Sequence, residues 1–144
     1  MEENTDIPCF VADTSFMAAY LLNGLCDDEL SDGIKDIVYI IENNGQIYVP
    51  QLFWFEIGNA LLCRSRRKGV NQVMLSNPDA RDIMYDLQQL PIVTDLQPTG
   101  EIRQRIFDLA AENNLTYYNA SYLELARRYR IPLKTYDKDL LNAM

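Results

Sequence analysis

This sequence predicts a three-layer α/β/α fold around a central, mainly parallel sheet. Three observations carry that expectation. Short apolar runs (PCFVA, QIYVP, PIVTD, PLKT) recur along the chain, and strands of this kind are buried on both faces of a sheet. Longer stretches with helical character separate them, which is what crossovers between parallel strands require. Acids stand just beyond several of the runs, on the strand-end edge where open α/β sheets place their sites.

In order along the chain, a short strand is expected over residues 8–12, and a helix follows Asp13, with Thr14 and Ser15 available as caps. The acidic loop CDDELSDG leads to a second helix that ends near Asn43, Asn44 and Gly45. Strand QIYVP comes next, then a long helix over about residues 52–68, stopped by Gly69. A helix over 78–89 precedes the strand PIVTD. Pro98 starts a helix that runs to about residue 113, where an Asn-Asn pair ends it. A helix over 119–130, a strand over 132–135 and a short helix after Asp137 complete the pattern. The 144 residues suit a single domain, 1–144, large enough to bury a core.

Composition narrows the chemistry. Histidine is absent, which excludes Ser-His-Asp and Cys-His nucleophiles and most catalytic zinc sites. A hydrolase built on this chain must use carboxylates, most naturally with an oxygen-loving metal such as magnesium or manganese. Cys9, Cys26 and Cys63 have neither disulfide nor zinc spacing, which favours a reducing cytoplasm. Cys63 reads as a small apolar residue on a buried helix. No run is long and apolar enough to predict a membrane span, and the acidic start MEENTD is unlike a signal peptide.

Three acids sit in apolar settings: Asp13 in FVADTSF, Glu56 in LFWFEIGNALL and Asp137 in LKTYDKDL. Each has a plain alternative. Asp13 and Asp137 can cap the helices that follow them, and Glu56 needs a partner, a metal or an exposed helix face to avoid an unpaired buried charge. Phosphodiester hydrolysis needs an activated water and neutralised phosphate charge, and magnesium held by oxygen ligands meets both needs.

The segments FVADTSFMAAYLL, VPQLFWFEIGNALL and LTYYNASYLELARRYRIPLKTYDKDLLNA resemble the PIN-domain ribonucleases, and among them the VapC-type toxins of toxin–antitoxin pairs. The resemblance covers nearly the whole chain and is most specific in the final helix–strand–Asp segment. It implies a metal-dependent endoribonuclease with Mg2+ or Mn2+, held by Asp13, Glu56 and Asp137. Asn119 stands where the pattern expects a further aspartate, and Thr135 is the small hydroxyl near the site. Asp139 is a possible helper, although it also reads as a helix-start charge. The departure at Asn119 implies a weakened or inactivated site, engineered or natural: as an N-cap, Asn replaces Asp at little cost, so the change would delete a charge and keep the helix start. A non-cleaving PIN-fold module that binds RNA or protein is the alternative. A receiver-type phosphoacceptor fits less well, because it needs an acidic pair at the first strand, where only Asp13 stands.

The resemblance also implies a VapB-type antitoxin as partner, RNA as substrate and a homodimer. Candidate walls for an antitoxin groove are Phe16, Met17, Tyr20 and Leu21 with the Trp54 helix, all of which equally suit a core. The net charge of −8 is concentrated in residues 1–48, which hold ten acids and one base. The remainder carries basic clusters, among them Arg64, Arg66, Arg67, Lys68, Arg127 and Arg128, which suit either phosphate contact or solvated helix ends. Tyr117, Tyr118, Tyr122, Tyr129 and Tyr136 are expected to pack through their rings with solvated hydroxyls.

Overall fold

The computed structural model describes residues 7–22, 30–66, 75–96 and 98–144. Its elements run β1 (Cys9–Ala12), α1 (Thr14–Leu21), α2 (Leu30–Glu42), β2 (Gln46–Pro50), α3 (Leu52–Arg66), α4 (Asn77–Gln88), β3 (Ile92–Asp95), α5 (Gly100–Asn113), α6 (Tyr117–Tyr129), β4 (Leu133–Lys134) and α7 (Lys138–Ala143). The expected alternation is present in order. The end of the long helix at residues 67–68, the Gly69 stop and Cys26 lie outside the described residues.

All strand pairs are parallel and the sheet order is β3-β2-β1-β4. From β1 the chain steps outward to β2 and β3, then returns past β1 to place β4 on its other side. The direction of winding therefore reverses between β1 and β4, and open α/β sheets bind ligands beyond the strand ends at such a reversal. Right-handed crossovers put the helices of the outward steps on one face and those of the return on the other. The packing agrees: α1, α3 and their neighbours α2 and α4 form one layer, while α5 packs on α6, which covers β1 and β2.

The core lies between these layers. Phe10, Val11, Ala12, Ile47 and Val49 fill the sheet, and Phe53, Ile57 and Leu61 form a stripe at four-residue spacing down α3. Cys63 falls off that stripe and is exposed, contrary to the expectation that it is buried. Helix α6 buries Ala120 and every residue from Tyr122 to Ala126, so it is a central rather than a surface helix.

Local chemistry explains the boundaries. Asn44 takes the left-handed conformation (φ 54°) after α2, as Asn tolerates. Gly45 follows because a Cβ there would meet the Pro8 carbonyl oxygen, which accepts from Gln46 N at 3.1 Å where β1 and β2 begin to pair. Asn114 (φ 52°) ends α5 within the Asn-Asn pair. One expected boundary is wrong in a way that matters. Helix α6 starts at Tyr117, not at Asn119, and its N-cap is Thr116, whose hydroxyl accepts from Asn119 N at 3.0 Å. Asn119 is the third helical residue, so its amide has no capping duty.

Candidate active site

Asp13 leaves β1 at the winding reversal, with its N–H donating to Lys134 O of β4 at 3.2 Å. Its side chain caps α1, with Oδ1 accepting from Phe16 N at 2.9 Å and from Ser15 Oγ at 2.6 Å. Oδ2 accepts from Thr135 Oγ1 at 2.5 Å. The Asp13 residue is only 4% exposed. Burial pushes its carboxyl above the ordinary range, the hydrogen bonds from Ser15, Thr135 and Phe16 oppose this, and the charge of Asp137 adds to the rise.

Asp137 stands beyond β4 and caps α7, with Oδ1 accepting from Asp139 N at 2.9 Å and Leu140 N at 3.1 Å. Its own N–H donates to Thr135 Oγ1 at 2.9 Å. Thr135 thus links the two aspartates through one hydroxyl. Ser15 completes the brace by accepting from Tyr136 N at 2.9 Å. For both aspartates the capping reading is correct and takes up only part of the carboxylate. Asp137 Oδ2 makes no hydrogen bond with the described residues.

Glu56, one turn into α3, reaches the same rim. Its Oε1 accepts from Tyr122 Oη at 2.6 Å and from Thr14 Oγ1 at 3.2 Å, while Oε2 makes no hydrogen bond with the described residues. Tyr122 comes from α6, three residues after Asn119 and so on the same helix face. The Asn119 amide makes no side-chain hydrogen bond with the described residues. The sequence reading missed Tyr122 as a site residue: its hydroxyl is not solvated but is its contact with a carboxylate. Its ring is 1% exposed. Burial first, and the neighbouring Glu56 second, hold the phenol protonated far above its ordinary range. Thr14, read only as a possible cap, was missed for the same reason.

Among the described residues, no Lys or Arg forms an ion pair with Asp13, Glu56 or Asp137. The donors are hard oxygens only, which suits magnesium or manganese. No group of three His, Cys, Asp or Glu side chains among the described residues is close enough to enclose a metal directly. The arrangement therefore fits a hydrated ion held by one or two carboxylates, which is how magnesium is usually bound.

The remaining candidates are placed elsewhere. Asp139 is exposed in the first turn of α7. Arg64 and Arg66 lie in the last turn of α3, about 12–15 Å along the helix from Glu56. Arg127 donates to Ala143 O at 3.4 Å. Arg128 is not available for phosphate, because its guanidinium is committed to Asp95 and Glu124. Arg67 and Lys68 lie outside the described residues. Phe16 and Met17 are core, whereas Tyr20 and Leu21 line a cleft of about 280 Å³ against α4. Trp54 is half-buried and donates to Thr94 Oγ1 at 2.8 Å, tying α3 to β3. A second cleft of about 280 Å³ is walled by Leu52, Phe55, Leu96 and Tyr118 and reaches Glu124 and Arg128 rather than Glu56.

Parallel strands and an acidic rim at the winding reversal define a carboxylate-based α/β site. The family model described as the PIN domain matches residues 10–143, and the chain belongs to this family of nucleases. Among solved structures, PAE2754 from Pyrobaculum aerophilum is similar with a TM-score of 0.67 and 20% identity, over 98% of this chain and 88% of that one. VapC20 from Mycobacterium tuberculosis, a sarcin–ricin-loop-cleaving toxin, is similar with a TM-score of 0.63 and 16% identity, over 93% and 94% of the two chains. A comparison with curated proteins found no match. No helix among the described residues is long and apolar enough to cross a membrane.

An expected result follows from the cost of keeping Asp13 charged. A carboxyl whose folded pKa is raised costs the fold stability above that pKa, and the cost disappears as pH falls below its unfolded value. Asp13→Asn, which keeps an acceptor for Phe16 N, is expected to raise Tm by a few degrees at neutral pH. Thermal melts of both chains across pH 4–7 check this. An advantage that does not shrink toward acid pH would refute the electrostatic cause.

Proposed function

We propose that this chain is a divalent-metal-dependent endoribonuclease, the toxin of a type II toxin–antitoxin pair, with its activity lowered by Asn119 in place of an aspartate. The supporting observation is the convergence of Asp13, Glu56 and Asp137, from three separate elements, on one rim without a cationic partner among the described residues. Such a cluster is self-repelling unless a cation joins it. The likeness to a toxin that cleaves the sarcin–ricin loop supports RNA as the substrate.

In this reading Asp13, Glu56 and Asp137 would hold a hydrated Mg2+ or Mn2+, one or two of them directly and the rest through its waters, and Asn119 would offer only a weaker neutral oxygen. The bound ion supplies an activated water and charge neutralisation on the phosphate. The chain's own residues set the geometry. Ser15 and Thr135 fix the Asp13 carboxylate, Thr135 couples it to the Asp137 backbone, and the α7 cap leaves Asp137 Oδ2 for the site. Arg64, Arg66 and Arg127 stand far enough from the acids to contact flanking phosphates. A VapB-type antitoxin, a homodimer and a cytoplasmic setting accompany this role, with the Tyr20–Leu21 cleft as one wall for the antitoxin.

The test is incubation of structured RNA with the chain and Mg2+ or Mn2+. Slow cleavage is expected that stops with a chelator and is lost in Glu56→Gln. Cleavage that continues in the chelator would refute the mechanism. Asn119 favours a second reading, a PIN fold that binds RNA or protein without cleaving it. That reading stands if neither this chain nor Asn119→Asp cleaves.

A further inference from the structure

The contacts of Glu56 are unevenly distributed between its two oxygens. Oε1 accepts from Tyr122 Oη at 2.6 Å and lies 3.2 Å from Thr14 Oγ1, and the two hydroxyls are 3.1 Å apart. Three groups from α1, α3 and α6 thus meet at one carboxylate oxygen. Oε2 makes no hydrogen bond with the described residues. A carboxylate anchored through one oxygen loses rotation about its terminal torsion, and the other oxygen is then held in one direction.

The donor is itself immobile. The Tyr122 ring belongs to the buried core, as do Leu123, Leu125 and Ala126 of the same helix. A phenol on a packed ring has few alternative rotamers. It donates one proton in a fixed direction, and Glu56 Oε1 is the acceptor placed to receive it. Asn119 is one turn earlier on the same face of α6. The same helix face therefore carries both Asn119 and the phenol that contacts Glu56.

We propose that Tyr122, assisted by Thr14, is a positioning residue that anchors Glu56 by one carboxylate oxygen and presents the other to a bound cation. The proposal rests on the reading of Glu56 as a site acid, and it assigns a role in the site to a side chain that would otherwise be counted only as core. A partner that orients a ligand from behind in this way typically changes metal affinity by about 10- to 100-fold when removed.

The test is Mn2+ titration of the full-length chain, followed by the electron paramagnetic resonance of free and bound ion, with thermal melting run in parallel. Tyr122→Phe keeps the ring and deletes only the hydroxyl. Thr14→Val removes the second contact from a different element and guards against a folding defect particular to α6. The expected result is Mn2+ binding about ten-fold weaker in Tyr122→Phe and less weakened in Thr14→Val, while both variants melt cooperatively. Glu56→Gln abolishes the same binding. If Tyr122→Phe binds Mn2+ as tightly as the parent while Glu56→Gln does not, Tyr122 is a packing residue and the proposal is overturned. If Glu56→Gln leaves Mn2+ binding intact, or the parent binds none, the reading of Glu56 as a site acid fails first and takes this role with it.

Discussion

Arg128→Ala is expected to cost about 3–5 kcal/mol of folding stability, a large part of what a domain of this size has. Arg128 donates to both oxygens of Glu124, through Nε at 2.9 and 3.1 Å and through one terminal nitrogen at 2.9 Å. It also donates to both oxygens of Asp95, at 2.7 and 3.3 Å. Glu124 is 3% exposed, so truncating the arginine strands a charge inside the protein. Asp95 closes β3, while Glu124 and Arg128 are one turn apart on α6, so the guanidinium clamps the central helix to an edge strand. The hydrogen bond to Asp95, then that to Glu124, hold Arg128 protonated even more firmly than usual. The ring of Tyr129 lies under the guanidinium at 5.3 Å and packs against Tyr48 at 5.1 Å.

Two controls separate this account from general damage. Arg128→Lys removes the planar fork and cannot serve both carboxylates at once, so it should lose an intermediate amount. Arg128→Met combined with Glu124→Leu removes the buried charge together with its partner and should recover much of the loss, since a buried ion pair is often no better than an apolar replacement of similar volume. Urea unfolding of the four chains reads all three results. A single Arg128→Ala chain within about 1 kcal/mol of the parent would show that Glu124 is hydrated rather than buried. The clamp bears on function because α6 also carries Asn119 and Tyr122.

This clamp marks the limit of what could be read from the chain. Apolar runs and the acids after them are local patterns, so the parallel sheet and the placing of Asp13, Glu56 and Asp137 on one rim were legible. What the sequence does not display is which polar groups meet across the fold. Arg128 sits in a basic run and reads as a phosphate contact, yet its two partners are four residues away on α6 and on another element altogether. Tyr122 sits in a helix with several tyrosines, and nothing local distinguishes the one whose hydroxyl meets Glu56. The start of α6 failed for a different reason. Thr116 and Asn119 are both good cap residues, three positions apart, and either could have opened the helix. Tertiary packing of Ala120 and Tyr122 to Ala126 favours the longer helix, which makes Thr116 the cap. Cys63 was misplaced because the buried stripe of α3, Phe53–Ile57–Leu61, turns away from it.

The corrected helix start changes what Asn119→Asp should do. Since Thr116 carries the cap, a change at 119 leaves helix capping untouched and acts through charge alone. An aspartate in the first turn gains from the helix dipole, by about 0.3–1 kcal/mol at an exposed position. It also adds a fourth acid on the helix that carries Tyr122 to a rim where burial, and to a lesser degree the charge of Asp137, already push the Asp13 carboxyl upward. Without metal these effects oppose each other, and the variant is expected to melt at or below the parent. With Mg2+ or Mn2+ the added carboxylate is expected to join the ion, and the order reverses: the variant binds the ion more tightly and cleaves RNA about 10²-fold faster, the scale of one electrostatic contact in an active site. Growth arrest on expression should accompany that gain. The reversal of melting order by metal is the sharper measurement, because it does not depend on finding the right RNA. An Asn119→Asp chain whose stability ignores the cation, and which cleaves no RNA that the parent leaves intact, would remove the charge deletion as the cause of weakness and leave the PIN fold here as a binding module.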